Sequence, residues 1–204
     1  MQFVKTPNFI KWILPNLIWD IPNKKKEIYL SFDDSPTPEF TYWILNLLSS
    51  LNIKATFFCV GDNSEKYPEI IEKIICEGHK IGNHTYSHLN GYYHKLESYI
   101  SGIEKCSKVL PKTNLFRPPY GKIYPWQIRK IQEKYKIIMW DILSYDFKKN
   151  INSTKLKSNV LNNVKSGSII VFHDNKNSEE ILKENLKDIL LKLQEQGFVF
   201  GLIS

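Results

Sequence analysis

The sequence predicts an α/β domain with mostly parallel strands, and three observations carry that reading. Seven β-branched or aromatic runs alternate with six helical patterns along 204 residues, the order of a βαβ chain. No linker, repeat or low-complexity segment divides them. The polar residues suited to chemistry fall at the carboxyl ends of the runs, where parallel α/β folds collect their sites. The periodicity alone fits both an open doubly wound sheet and a closed, incomplete barrel.

The first 26 residues read as a lead-in and residues 27–204 as the main domain. Phe9–Asp20 is apolar but interrupted by Lys11, Pro15 and Asn16. It is expected to pack, with membrane-surface contact as the alternative. It lacks the unbroken apolar core and small-residue cleavage site of a secretory leader, and no run reaches the 18 or so apolar residues of a membrane span. A cytoplasmic location is the default expectation, with peripheral membrane or cell-envelope association as the alternative.

Strands are expected at Glu27–Phe32, Lys54–Val60, His79–Gly82, Asn114–Phe116, Ile137–Asp141, Ser168–His173 and Phe198–Ile203, each a short apolar run bounded by turn residues. Helices are expected between them. Pro38–Leu51 stacks Trp43, Leu47, Leu48 and Leu51, and Tyr67–Cys76 opens at Pro68 and stacks Ile70, Ile71, Ile74 and Ile75. Tyr92–Leu110, Pro125–Tyr135 and Ser153–Val164 follow. The last, Ser178–Gln196, is expected to be capped by Ser178 and stopped by Gly197.

Net charge is +7, from 28 Lys plus Arg against 21 Asp plus Glu. The basic residues are spread along the chain and no groove-reading motif accompanies them, so a nucleic-acid partner is not expected. No feature specifies an oligomer. Only Arg117 and Arg129 are arginines. Arg117 lies in the rigid Phe116-Arg-Pro-Pro-Tyr-Gly121 loop, where a planar guanidinium has a use, whereas Arg129 reads as a surface charge. Cys59, Cys76 and Cys106 have no metal-type spacing and an odd count, pointing to free thiols and a reducing compartment.

The chemistry centres on Ile28-Tyr-Leu-Ser-Phe-Asp33-Asp34-Ser-Pro36, a buried strand running into two carboxylates that need partners or a task. His84-Thr-Tyr-Ser-His88 sets two imidazoles at i, i+4, expected on one side of a helical turn around a cation. Two imidazoles and a carboxylate leave an open position on a catalytic metal. Either Asp33 or Asp34 is the third ligand, since successive side chains on an extended strand point apart. The other is then free to act as general base. Arg117 would hold that base ionised. His173 closes Ile169-Ile-Val-Phe-His-Asp174 and, beside a metal and a base, reads as the general acid. His79 and His94 are expected to be structural or exposed.

Together these motifs resemble the polysaccharide deacetylases of the NodB-homology domain, carbohydrate esterase family four. Ser31-Phe-Asp-Asp-Ser-Pro36 is similar to the family's first motif, His84-Thr-Tyr-Ser-His88 to its second, Arg117-Pro-Pro-Tyr120 to its third and Val171-Phe-His-Asp174 to its fifth. The resemblance implies a single-domain distorted (β/α) barrel of about seven parallel strands. It implies that Asp34, His84 and His88 bind a divalent ion, foremost Zn²⁺, with Co²⁺, Ni²⁺ and Mn²⁺ as alternatives. Asp33 would be the base, Arg117 its support, the Tyr120 amide an oxyanion donor and His173 the acid. Val171, Pro119, Trp140 and Phe147 would line the substrate pocket. The reaction implied is removal of N-acetyl groups from N-acetylhexosamine units of a peptidoglycan-like or chitin-like glycan, releasing acetate. An O-acetyl esterase or other amidase on the same site, and a non-catalytic glycan-binding relic, are the alternatives.

Two departures stand out. Ser35 replaces the family's usual Gly, which matters if that position takes positive φ. The fourth motif, typically Asp-x-x-Asp-Trp, reads Leu143-Ser-Tyr-Asp-Phe147 here. Leu143 stands at the acid expected to polarise His173; Asp146 is retained, Asp141 lies nearby as a substitute, and restoring Asp at Leu143 is expected to move the basic limb of the pH profile.

Overall fold

The computed structural model describes residues 3–204. In chain order it holds α1 (Asn8–Ile13), β1 (Glu27–Ser35), α2 (Phe40–Ser50), β2 (Thr56–Cys59), α3 (Gly61–Lys66), α4 (Pro68–Cys76), β3 (Lys80–Asn83), α5 (Leu96–Val109), β4 (Leu115–Phe116) and α6 (Pro125–Ile131). There follow β5 (Lys136–Ile137), β6 (Ile142–Leu143), α7 (Ser153–Leu161), β7 (Ile169–His173), α8 (Lys176–Glu195) and β8 (Val199–Gly201). Helices α1 and α3, six residues each, lie outside the helical patterns read above, because one and a half turns are too short to show a period.

All strand pairings between these elements are parallel. The order is β5-β4-β3-β2-β1-β7-β6, with β8 paired to the start of β1. The two edges of this path, β5 and β6, are separated in the chain only by residues 138–141. One stretch therefore serves both edges, which curls the sheet into a distorted (β/α) barrel rather than an open sheet.

The single strand expected over Ile137–Asp141 is thus corrected to two short ones. The reason lies in its carbonyls. Those of Ile138 and Met139 accept from Arg117 Nε and Nη2, at 3.1 and 2.9 Å, so a side chain occupies the place of a neighbouring strand. The lead-in covers this seam: Ile18 bridges Ile138, Lys5 bridges Ile142, and Leu17 and Trp19 are buried. Lys11 spans it, pairing with Asp20 and, at 2.6 Å, with buried Asp141. The packed alternative for the lead-in is the one observed for these residues, while Phe9, Trp12 and Ile13 stay exposed.

Alternation along β1 sets what faces where. Ile28, Leu30 and Phe32 turn outward into the layer under the helices, where Phe32 stacks between Phe57 and Phe172 at 5.2 and 6.0 Å. Burial of each such ring contributes about 2–3 kcal/mol. Tyr29, Ser31 and Asp33 turn into the barrel, Tyr29 among Phe58, Leu115 and Ile169 and the other two against Arg117. Ser31 and Asp33 thus bring polar groups to the carboxyl half of β1 inside the barrel.

Candidate active site and metal centre

Asp33 and Asp34 are adjacent on β1, yet both face one cavity of about 680 Å³ at the carboxyl ends of the strands. A register break between Asp33 and Ser35 and a left-handed Asp34 (φ 72) turn the second carboxylate to the side of the first. The sharp kink that an extended strand forbids is supplied at this one residue. The positive φ falls on Asp34, not Ser35, so Ser carries no backbone penalty where the family has Gly.

His84 and His88 are not on a helix, which corrects the i, i+4 reading. They flank a bend with left-handed Thr85 (φ 63) and His88 (φ 52). Asn83 Oδ1 accepts the Thr85 N–H at 2.9 Å, and Thr85 Oγ1 accepts the Leu89 N–H at 2.8 Å. These local bonds replace helical ones and bring the imidazole centroids to 5.0 Å.

Asp34 Oδ1 lies 3.7 Å from His84 Nε2 and 3.1 Å from His88 Nε2. Ligands about 2.0–2.1 Å from a tetrahedral ion stand about 3.4 Å apart, so the trio fits one cation. It is also the one His/Cys/Asp/Glu group among the described residues with a metal-holding arrangement. Asp34 Oδ1 is buried with no hydrogen-bond partner, an orphan acceptor aimed at the position a cation would fill.

The surroundings suit that use. His84 Nδ1–H donates to the Arg117 carbonyl at 2.7 Å, which leaves the Nε2 lone pair toward the trio. Burial lowers His84 to about 4, against the opposing charge of Asp33, so the ring is neutral. Burial opposes ionisation of Asp34, but the neighbouring imidazoles, foremost His88, hold its carboxyl well below the ordinary range. Asp34 Oδ2 accepts from Asn175 Nδ2 at 2.6 Å. Asn175 was not singled out in the sequence. Its Oδ1 also accepts the Asn177 and Ser178 N–H groups, making it, and not Ser178, the cap of α8. An Asn directly after His-Asp and before a helix was the available signal.

Arg117 is fully buried beneath the base position. Its Nη1 donates to Asp33 Oδ1 at 2.6 Å and to Ser31 Oγ at 2.8 Å, and its guanidinium stacks 4.0 Å from the centre of the Phe58 ring. With the two carbonyl acceptors of the β5–β6 link, the fork is held in one geometry. Asp33 presents its other oxygen toward the cavity, 4.0 Å from His84 Nε2.

His173 closes β7, level with Asp33 on the neighbouring strand. Its Nδ1–H donates to Asp146 Oδ1 at 2.8 Å and its backbone N–H to Asp146 Oδ2 at 2.7 Å. Ser144 Oγ donates to the same carboxylate at 2.6 Å, and Ser144 is tied in turn by Asn159. Asp146 is therefore the carboxylate that polarises His173. Asp141 is excluded, being occupied by Lys11 and Ser168. Leu143 lies in an apolar cluster with Tyr145 and Val171. Burial works against protonating His173, but the Asp146 charge and hydrogen bond, with Asp34 and Asp33, raise it to about 9.

Trp140, Phe147, Tyr120 and Leu143 line the cavity wall. Phe147 packs edge-on to His173 at 4.7 Å and Tyr120 edge-on to His88 at 4.5 Å. Val171 and Pro119, expected in the wall, are buried and outside the lining. Val171 sits two residues below His173, about 7 Å deeper along the strand, beside Leu143 on the neighbouring strand. At Pro119 the chain turns into left-handed Tyr120 (φ 59), which presents Tyr120 to the cavity in its place. His79 is structural, its Nδ1 accepting the Ala55 N–H at 3.1 Å.

The family model for polysaccharide deacetylase matches residues 20–140. The chain is 39% identical over 158 residues to a peptidoglycan-N-acetylglucosamine deacetylase of Bacillus cereus, covering 74% of this chain and 57% of that protein. To a second peptidoglycan-N-acetylglucosamine deacetylase of that organism it is 34% identical over 193 residues, covering 91% of this chain and 90% of the relative. It superimposes on the crystal structure of the Bc1960 peptidoglycan N-acetylglucosamine deacetylase with a TM-score of 0.88 at 33% identity, over 97% of this chain and 95% of that one. The first of these relatives is therefore little more than half spanned by the chain, the second almost wholly. On its matched residues, its fold and the arrangement of its aspartates and histidines, the chain belongs to the polysaccharide deacetylase family.

Proposed function

We propose that the protein is a metal-dependent carbohydrate N-deacetylase that hydrolyses the acetamide of N-acetylhexosamine units in a glycan, releasing acetate and a free amine. The observation that carries this reading is that Asp33, held by Arg117, and His173, held by Asp146, line one cavity together with a three-residue cation site. Asp34, His84 and His88 would hold the ion, and their N and O donor set suits Zn²⁺. When bound, a divalent ion supplies Lewis acidity at the acetamide oxygen and lowers the pKa of water.

The chain's own residues supply the rest. Asp33, held by Arg117, takes a proton from the attacking water. The Tyr120 N–H, at the left-handed kink on the cavity rim, donates to the oxyanion as the carbonyl carbon becomes tetrahedral. His173, kept protonated by Asp146, gives its proton to the departing nitrogen, and the carbon–nitrogen bond breaks. One water is consumed for each acetate and amine formed. Trp140, Leu143 and Phe147 form the apolar wall facing the acetyl group.

The test is acetate release from N-acetylglucosamine oligomers by zinc-loaded protein, with Asp33→Asn as the inactive control. Oligomers bound but uncleaved with every divalent metal would instead identify a binding relic. Release from O-acetylated sugars alone would identify an esterase.

A further inference from the structure

A second aromatic feature leads away from the cavity. Two loops leave it side by side, one after His88 and one after Tyr120, starting from rings 4.5 Å apart. Buried Gln127 clamps them together: its Nε2 donates to the carbonyls of Gly91 and His94 at 2.9 and 3.3 Å, and its Oε1 accepts the Tyr124 N–H at 2.9 Å. The contact is close enough to need glycine, since a Cβ at Gly91 would meet the Lys122 carbonyl oxygen at 2.4 Å.

Where the loops end, three rings stack in series. Tyr92 lies on Tyr124 at 4.6 Å and 29°, and Tyr124 on Trp126 at 4.3 Å and 13°. The Lys122 ammonium stands 5.2 Å over the Tyr92 ring. Trp126 is 56% exposed and Tyr92 43%. Apolar burial does not explain such rings, because they are held in order yet left in water. Among the described residues, the first ring carries a cation and the middle ring is covered on both sides, so the open face of the series belongs to Trp126.

We infer that Tyr92, Tyr124 and Trp126 form a sugar-stacking subsite for the glycan chain beyond the unit being deacetylated. A rigid, exposed indole face offers the C–H face of a pyranose a large contact at small entropic cost. The occupant follows from continuity with the cavity: the segment from Tyr120 to Trp126 reaches at most about 20 Å, the length of a few sugar units. The inference rests on the glycan reading above and adds that this enzyme favours longer chains.

Trp126→Ala and Tyr92→Ala are compared with wild type on N-acetylglucosamine oligomers from dimer to hexamer. Leu191→Ala serves as control, some 16 residues and about 24 Å along α8 from its capped end. Trp126→Ala is expected to raise KM for the hexamer about 5- to 10-fold, with kcat and the dimer KM unchanged. The Tyr92 variant is expected to follow it more weakly and the control not at all. An unchanged hexamer KM overturns the subsite and leaves the deacetylase reading standing, as does an equal loss on dimer and hexamer. If wild type releases no acetate from any oligomer, the deacetylase reading fails instead. Hexamer affinity of Asp33→Asn with and without Trp126→Ala then judges the subsite alone, equal affinities overturning it.

Discussion

His84 and His173 line one cavity, the first buried and the second largely so, and their protons are held oppositely. Burial, with His88 nearby, lowers His84 to about 4, because its Nδ1 faces a neutral carbonyl and the charges of Asp33 and Asp34 do not compensate. Burial acts on His173 in the same direction, yet Asp146 grips both its ring and its backbone and raises it to about 9. Desolvation is common to both; the partner at Nδ1 decides. A carbonyl there makes a neutral ring with a free Nε2 lone pair, fit to ligate, and a carboxylate there makes a proton donor.

The ligating side breaks most completely. His84→Ala is expected to abolish metal binding and, with it, activity. Asp33→Asn is expected to keep the metal while lowering kcat about 10²- to 10⁴-fold. Metal content of the two purified variants separates them, and equal loss in both would reverse the assignment of the two carboxylates. Asn175→Ala is the milder probe of the same side. Losing the donor to Asp34 is expected to weaken metal affinity about 10- to 100-fold, and losing the α8 cap to cost about 1 kcal/mol in unfolding. Metal titration and denaturant melts read the two effects apart.

The proton-donating side is sharpened by Asp146→Asn. In the proposed mechanism His173 carries its proton, so activity is expected to fall as pH rises through its pKa. Without the carboxylate, burial lowers that pKa, and the basic limb of the kcat profile is expected to move from near 9 toward the ordinary 6.5. Each unit of movement costs about tenfold in rate above the new pKa. A limb that stays in place would mean another group protonates the leaving nitrogen. Leu143→Asp is expected to have the smallest effect on that limb, because the His173 Nδ1 is already taken by Asp146. Its charge enters the apolar cluster of Val171 and Tyr145, so a loss of about 2–4 kcal/mol in stability is expected instead. The fourth motif alone points instead to a retuned acid, an expectation the Asp146–His173 bond removes.

Much of the site was legible because strand ends announce themselves. An apolar run closing in Asp33-Asp34 or His173-Asp174 marks where a parallel strand leaves the core, and the functional group each side chain carries is read directly from the sequence. The lone arginine in a rigid loop was visible for the same reason: a lysine-rich chain spends a guanidinium where a fork is needed.

Element types and their order, the candidate ligands and the two proton-transfer groups thus follow from residue chemistry and local period, which are properties of the chain itself. Tertiary structure alone decided the rest. The left-handed Asp34 that aims two consecutive carboxylates into one cavity is such a case, as are the bend that pairs His84 with His88 and the choice of Asp146 over Asp141. Asn175 behind Asp34 and the curling of the sheet around residues 138–141 belong with them. Asp146 meets His173 across 27 residues and Asn175 meets Asp34 across 141, separations over which a local pattern carries no information.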